Sequence, residues 1–187
     1  FGLGAYTIAK LCEWLNTPGG WRPFFFVPVA GLVAAVFAVP LGMIALRTRR
    51  HTFVVITIAI FFIFQLLAEN NVFQLTAGEA GVSLPIPLNW GPEFYNLPFY
   101  FLTLLILVVT VLTSWWIRGS KYGLELLAIR DDEDRARGLG VRTGATKLGA
   151  FVLSAFFVGM IGAMMAYFIE STYPQFAFDA TFDVTVA

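Results

Sequence analysis

Four apolar runs, each close to the length of a membrane-spanning helix, constrain this chain more than any other feature. A helix needs about 20 predominantly apolar residues to cross the hydrocarbon core of a bilayer. The runs are residues 24–46, 52–68, 97–117 and 148–169. The chain is 58% hydrophobic and only 13% charged, which is far from the composition of a soluble domain. The sequence therefore predicts an all-α integral membrane protein, a polytopic helix bundle with four full spans.

The two ends of the chain lie in or beside apolar sequence. Residues 1–15 are typical of the second half of a further span, in which Lys10 and Glu13 lie near an interface or face the protein interior. Phe1 is not preceded by an initiator Met, and Ala187 is not followed by a polar tail. We therefore expect residues 1–187 to be a single transmembrane domain, truncated at both ends, with a truncated first span.

Basic residues predict the orientation of the spans. Arginine and lysine are concentrated in cytoplasmic loops. The short loop at residues 47–50 and the segment 118–147 hold all twelve Lys and Arg except Lys10 and Arg22. The segment 69–96 holds none. We expect residues 118–147 to form a cytoplasmic loop and residues 69–96 an outward-facing loop, and the four spans then alternate in direction.

The spans carry packing signals and no charge at their centres. A charged residue at membrane depth is typical of proton-coupled carriers, so proton coupling within these spans is not expected. Pro28 and Pro40 predict kinks in the first full span, where neighbouring helices can satisfy the freed carbonyls. One face of the last span carries small residues that favour close helix packing. These residues are Ala155, Gly159, Ala163 and Ala166.

The sequence gives little support for a metal site, a nucleic-acid-binding site or a hydrolase active site. Cys12 is the one cysteine and His51 the one histidine, so no metal-ligand cluster is expected. The net charge is zero and indicates no nucleic-acid partner. Glu79 and Glu93 lie in the outward segment, but no hydrolase pattern accompanies them. The turn-rich outward segment is better explained as a binding surface or a stretch dipping back toward the membrane.

A set of spaced glycines invites comparison with nucleotide-binding loops. Gly138, Gly140 and Gly144 form G-x-G-x-x-x-G, but a dinucleotide fingerprint requires a preceding strand within a βαβ unit. Here the flanks are predicted membrane helices, and the phosphate-loop pattern G-x-x-x-x-G-K-[ST] is absent from the sequence. We expect this chain to bind no nucleotide and no other cofactor.

Residues 126–141, LLAIRDDEDRARGLGV, concentrate charge in an otherwise apolar chain. Asp131 is predicted to cap a short helix, with the acids at 132–134 in its first turn, where carboxylates suit the positive end of the helix dipole. Gly138 or Gly140 is expected to end it. A cytoplasmic location explains the arginines but not four acids in a row. The pattern favours a rigid charged helix presented to a partner of complementary charge.

Residues 122–155 resemble the cytoplasmic loop of permeases of branched-chain amino acid ABC importers. That family carries G-x-x-L-x-A-I-R-[DE]-[DE]-[DE]-x-A-x-x-x-G followed by a Lys-Leu-x-A-F span. The matching positions are Gly123, Leu126, Ala128, Ile129, Arg130, Asp131, Asp132, Glu133, Asp134, Ala136, Gly140, Lys147, Leu148, Ala150 and Phe151. The broader importer signature E-A-A-x-x-x-G falls on Asp134, Arg135, Ala136 and Gly140, with Arg135 in place of alanine.

The resemblance extends over nearly the whole chain. FGLGAYTIAKL at residues 1–11 is similar to an early stretch of the family, FFGIGAYTAAL. An outer family motif, T-G-G-x-x-G, is matched at Thr76, Gly78 and Gly81. Ala77 stands where the family usually has glycine, and Glu79 and Ala80 replace its usual polar pair. This outer motif supplies the candidate contacts for substrate or for a binding protein.

The resemblance implies a transport subunit of a prokaryotic cytoplasmic membrane and not an enzyme. Its implied partners are ABC ATPase subunits, a sister permease subunit, a soluble extracytoplasmic substrate-binding protein and membrane lipid. ATP hydrolysis would occur on the partner chains, and a coupling helix would dock into the ATPase. The residues implied in docking are Arg130, Asp131, Asp132, Glu133, Asp134, Arg135, Ala136 and Gly140.

Two other classes remain open. Secondary carriers of the major facilitator type carry G-x-x-x-D-[RK]-x-G-[RK]-[RK], which Asp134 and Arg135 begin, but Gly138 is one place late and the basic pair is absent. A membrane-embedded enzyme would need a histidine in a span, a G-x-S-x-G or an ordered aspartate array, and none is found in the sequence. The substrate stays open among branched-chain amino acids, other amino acids, urea and amides.

Overall fold

A computed structural model describes residues 1–16, 20–46, 50–70, 81–84 and 96–172, with the backbone alone for 50–54. Seven helices and two short strands lie within these residues. The helices are α1 (Gly2–Trp14), α2 (Arg22–Ala45), α3 (Arg50–Glu69), α4 (Asn96–Arg118), α5 (Lys121–Asp131), α6 (Glu133–Gly138) and α7 (Thr143–Ile169). The strands are β1 (Val82–Ser83) and β2 (Ser171–Thr172). The all-α membrane fold predicted from the sequence is confirmed.

Each predicted span corresponds to one helix. Among the described residues, α2, α4 and α7 are long and apolar enough to cross a bilayer, and α3 contributes a shorter apolar stretch, Val55–Glu69. The predicted partial span at residues 1–15 corresponds to α1. Pro28 and Pro40 lie inside α2, and neither ends it. The low helix propensity of proline is overridden here, because a bilayer offers the backbone no hydrogen-bonding partner outside the helix.

The last span begins earlier than the sequence predicted. α7 starts at Thr143, although hydropathy rises only at residue 148. The polar first turn extends beyond the apolar stretch and is held by contacts with α5 and α6 described below. A hydropathy pattern cannot detect it, because these residues are helical through tertiary contacts and not through burial in lipid.

α7 is the central helix of the described bundle and contacts α1, α2, α4, α5 and α6. Its small-residue face lies inward as predicted: Gly159, Ala163 and Ala166 are buried, while Ala155 is half-buried. A Cβ atom added to Gly159 would lie 2.5 Å from the Cβ of Ala34 in α2. Small residues therefore let the backbones of these helices approach closely, as packing in membranes favours.

Aromatic rings join α2, α4 and α7 at one end of the bundle. The ring centroids of Phe24, Phe99 and Tyr167 lie 5.1 to 5.3 Å apart. These rings belong to the first turns of α2 and α4 and the last turn of α7, so α7 runs opposite to both. The alternating directions expected from the basic residues agree with this packing.

A two-stranded ladder lies beyond the end of α7. β1 pairs antiparallel with β2, with Val82 opposite Thr172 and Ser83 opposite Ser171. Leu84 N–H donates to the carbonyl oxygen of Glu170 at 2.9 Å. The ladder ties part of the predicted outward segment to the C-terminal end of α7.

Candidate functional site

The charged segment between α4 and α7 forms two helices, where the sequence predicted one. α5 ends at Asp131 and α6 begins at Glu133, and Asp132 lies between them in an extended conformation with φ −156° and ψ 108°. The predicted cap, Asp131, is wrong by one residue. Neighbouring acids are similarly favoured as N-cap residues. The one that caps the helix is the one whose backbone angles are not helical, and the sequence does not show which that is.

Asp132 is the cap of α6. One oxygen of its carboxylate, Oδ1, accepts hydrogen bonds from the backbone N–H groups of Asp134 and Arg135, each at 3.0 Å. The N–H of Arg135 lowers the pKa of the Asp132 carboxyl below its usual value, with further contributions from the Arg135 charge and the N–H of Asp134. The cap is therefore anionic at neutral pH and fixes the start of α6.

The charges of α6 are ordered along its axis. Glu133 and Asp134 lie in the first turn, and Arg135 and Arg137 lie in the last. This order complements the helix dipole at both ends. The predicted distribution of acids and arginines around a short helix is confirmed, apart from the position of the cap.

Gly140 follows the end of α6 with φ +89°, a conformation that side-chain-bearing residues rarely adopt. Nearby, Leu139 N–H donates to the Arg135 carbonyl and Val141 N–H to the Ala136 carbonyl, each at 3.1 Å. A Cβ at Gly140 would meet nothing within 4 Å. The glycine is thus required by its backbone conformation and not by crowding within this chain.

Side chains fasten α6 to the first turns of α7. Glu133 forms an ion pair with Lys147 of α7 and a second with Arg137, Nη2 to Oε1 at 3.0 Å. Arg137 also donates to the hydroxyl of Thr143 at 3.4 Å. The hydrogen bond from Lys147 is the main reason that the pKa of Glu133 lies below its usual value, and the charges of Lys147 and Arg137 act in the same direction.

α5 is fastened to the same turns of α7. The Tyr122 hydroxyl donates to the carbonyl oxygen of Thr146 at 2.6 Å, and the Thr146 hydroxyl donates to Glu125 Oε2 at 2.9 Å. Burial raises the pKa of the Tyr122 hydroxyl. A small open cavity of about 370 Å³ lies beside these contacts. Together α5, α6 and the start of α7 form one cross-linked unit.

The predicted docking residues divide into two groups. Six point outward and are exposed: Arg130, Asp131, Asp132, Asp134, Arg135 and Gly140. Glu133 is half-buried and Ala136 is buried, so these two hold α6 in place. An apolar side chain, Leu139, lies beside the outward group and is 79% exposed. The structure thus brings the predicted residues onto one short helix and its flanks, while their role in docking stays a prediction.

Sequence reasoning missed the residues that anchor this unit. Lys147 entered only as part of a family pattern, and Tyr122, Glu125, Thr143 and Thr146 were not singled out. The contacts of Tyr122, Glu125, Thr146 and Lys147 join residues 14 to 24 positions apart, and Arg137 and Thr143 lie six apart on two different helices, so no local periodicity could have identified them.

The predicted outer motif is only partly described. Gly81 lies just before β1 with φ +69°, whereas Thr76, Gly78 and Glu79 lie outside the described residues. In the membrane region, an open cleft of about 500 Å³ lies between α4 and α7, and its lining is almost wholly apolar apart from Asn96 and Thr103. Among the described residues, no group of His, Cys, Asp and Glu could hold a metal ion.

Comparison with known proteins gives a consistent result. A family model described as branched-chain amino acid transport system / permease component matches residues 1–187. The chain is 29% identical over 191 residues to the high-affinity branched-chain amino acid transport system permease protein LivM of Escherichia coli (strain K12), covering 89% of this chain and 44% of that protein. LivM of Salmonella typhimurium matches with the same identity and coverage. No solved structure matches significantly.

Proposed function

The chain belongs to the family of permease components of branched-chain amino acid transport systems, and we propose that it forms part of an ATP-driven import path. In this proposal it carries branched-chain or related amino acids across the cytoplasmic membrane of a prokaryote. The energy comes from ATP hydrolysis on separate ATPase subunits. The observation that carries the proposal is α6, a capped, charge-ordered helix bonded to the first turns of α7.

The geometry of α6 suits docking into a groove on an ATPase. A helix that transmits force needs a fixed position on its own chain and a free face for its partner. Asp132, Glu133 and Gly140 fix the ends and position of α6. Its exposed charges set the register of docking, since complementary charge contributes specificity more than affinity. Leu139 offers an apolar contact within that charged surface.

The chain spans 44% of the length of the curated relatives that it matches. In this proposal a sister permease subunit forms the other part of the path. A soluble substrate-binding protein would deliver the amino acid at the outward face. The outer motif at Thr76, Gly78, Glu79 and Gly81 is its proposed contact, or that of the substrate. Membrane lipid surrounds the exposed apolar faces.

The proposal is tested by substitutions that spare the membrane helices. Asp134→Lys reverses an exposed charge of α6, and Gly140→Val forces a branched side chain into a positive φ, at a cost of about 1–2 kcal/mol. In a complex reconstituted with ATPases and binding protein, both variants are expected to insert normally but to lose most of the uptake per ATP hydrolysed. Uptake and phosphate release are measured together with co-purification of the ATPase.

Gly144→Val is the matched control for Gly140→Val. Gly144 lies in the first turn of α7 and a Cβ there also meets nothing within 4 Å, but its φ is not positive. The control is expected to transport like the wild type. Normal uptake by Asp134→Lys and Gly140→Val would contradict the proposal, as would uptake driven by a proton gradient without any ATPase.

A further inference from the structure

We propose that α7 transmits the movement of α6 across the membrane, and that the Glu133–Lys147 ion pair is the joint through which the movement enters α7. The inference rests on the proposed function, because it assumes that an ATPase moves α6. It adds a positioning role for Lys147, which lies outside the exposed docking group.

The cytoplasmic end of α7 receives side-chain bonds from both helices of the charged segment. Glu133 pairs with Lys147, Arg137 donates to Thr143, and Tyr122 donates to the carbonyl of Thr146. All three contacts fall within residues 143–147, the first turns of α7. A displacement of α6 therefore acts on α7 through these side-chain bonds as well as through the backbone that connects the two helices.

The Glu133–Lys147 pair is the strongest of these links on physical grounds. Glu133 is held by two cations, Lys147 and Arg137, whereas the Arg137–Thr143 bonds are long at 3.4 Å. Asp132 and Arg135 also pair, at 3.6 Å, but both belong to the cap and body of α6 itself. Charge-assisted bonds with good geometry are stronger than neutral ones, so Lys147 is the residue whose loss should loosen the joint most.

Along its length α7 has little room to bend away from a push. A Cβ on Gly42 would lie 2.7 Å from Leu148 and 2.9 Å from Phe151, and a Cβ on Gly31 would lie 2.8 Å from the carbonyl of Phe156. Further along, Gly159 lies close to Gly4 of α1 and to Ala34 of α2. Close-packed interfaces move as units because they have few intermediate arrangements.

At the outer end, α7 is hydrogen-bonded to two other parts of the chain. The Tyr167 hydroxyl donates to the carbonyl oxygen of Gly20 at 2.8 Å, immediately before α2. Beyond Ile169, β2 pairs with β1 of the outward segment. Movement of α7 thus displaces residues 81–84, which adjoin the outer motif at Gly81. The same helix joins the cytoplasmic docking unit to the outward surface.

The test removes the charge of Lys147 and keeps its length. Lys147→Met breaks the ion pair, and Lys147→Arg retains it. In the full complex, reconstituted with ATPases, sister permease and binding protein, Lys147→Met is expected to retain ATPase binding and hydrolysis. Its uptake per ATP hydrolysed should fall by about twofold, the loss expected from a partly exposed ion pair. Lys147→Arg should restore most of the wild-type ratio.

Lys10→Met is the matched control. Lys10 pairs with Glu13 at 2.7 Å and its side chain is 30% exposed, against 29% for Lys147, but both residues belong to α1 and the pair joins no other helix. The control is expected to leave the ratio of uptake to hydrolysis unchanged. Glu133→Gln breaks the proposed joint from the other side. Its ratio of uptake to hydrolysis should fall by the factor expected for Lys147→Met, and it provides the test if Lys147→Met fails to insert.

The outcomes separate this inference from the proposed function. Wild-type coupling in Lys147→Met and Glu133→Gln would overturn the joint and leave the importer function standing. Loss of ATPase binding in Lys147→Met would also overturn it, since Lys147 would then act in docking. A wild-type complex that binds no ATPase would contradict the proposed function itself.

Discussion

α4 and α7 are equally apolar, yet they occupy different places in the molecule. Their mean hydropathies are 2.2 and 2.1, but 11% of the apolar window of α4 is buried in the bundle against 22% of that of α7. α4 is rich in leucine and valine, most of them exposed, and its last turns carry the exposed Trp115 and Trp116. Its buried residues are Phe99 and Ile106.

α7 instead places glycine and alanine where neighbouring backbones come closest. Gly159, Gly162, Ala163 and Ala166 are buried. Burying apolar area against other helices gains little in a bilayer, because lipid tails are equally apolar, and close van der Waals contact decides which helices associate. Hydropathy therefore identifies a span, whereas residue size identifies the span at the centre.

The largest expected effect of a substitution is at Gly159, where α7 packs most closely on α2. Gly159→Leu would place a large side chain against α2, where even a Cβ lies 2.5 Å from the Cβ of Ala34 and 3.3 Å from the carbonyl of Ala30. We expect a loss of stability of about 3 kcal/mol or failure to assemble, since overpacking at a backbone contact cannot be relieved by rotamer changes. Thermal unfolding in detergent and monodispersity on size exclusion measure the effect.

Two controls sharpen this prediction. Val158→Leu adds one methylene next to Gly159 on the exposed side of α7, and Val109→Leu does so on α4. Both side chains are exposed on the surface of the described bundle, so both variants should unfold at the wild-type temperature. A Gly159→Leu protein as stable as these controls would show that the close approach of α7 to its neighbours is not needed.

A smaller effect is expected from removing one hydroxyl. Tyr167 is fully buried in α7, and its hydroxyl donates to the Gly20 carbonyl at 2.8 Å. Tyr167→Phe keeps the ring among Phe24 and Phe99 but leaves that contact unmade, at a cost of about 1 kcal/mol. Tyr100→Phe on α4 removes a hydroxyl from a side chain that is 63% exposed and should cost almost nothing. Equal unfolding temperatures for the two variants would contradict the difference between the helices.

The parts of the fold that the sequence predicted are those governed by local composition. The length of an apolar run, the placement of arginines and the small residues of α7 are each visible within about 20 residues, the span of a bilayer. The start of α7 at Thr143 was missed because it depends on Tyr122 and Glu133, which lie on other helices.

The candidate site was predicted in its general position but not in its construction. The run of acids and the stop near Gly140 indicated a short charged helix, and the cap differed by one residue because adjacent acids compete equally by propensity. The second helix, α5, has mixed polarity and carries no periodic signal strong enough to separate it from a loop. The inward role of Glu133 depends on Lys147, 14 residues away.

The smallest predicted effect concerns the end of α4 and the start of α7. The last turn of α4 holds Trp115, Trp116 and Arg118 and no carboxyl group, whereas the start of α7 is paired with Glu133. The pKa of Glu133 is lowered from 4.5, chiefly by the hydrogen bond from Lys147. A carboxyl with a lowered folded-state pKa contributes stability that is complete above its unfolded-state value and is lost as pH falls through the folded-state value.

The difference in unfolding free energy between wild type and Glu133→Gln should therefore be constant above about pH 4.5 and shrink toward zero under more acidic conditions. Its size should be about 0.5 kcal/mol or less, since a carboxylate with 40% exposure is screened by solvent.

The same comparison in a Lys147→Met background isolates the cause. If Lys147 provides most of the pKa shift, that background should lose most of the pH dependence, whereas the exposed end of α4 should show none. An unchanged pH dependence in the Lys147→Met background would assign the lowered pKa of Glu133 to Arg137. It would also weaken the distinction between the titrating contact at the start of α7 and the end of α4.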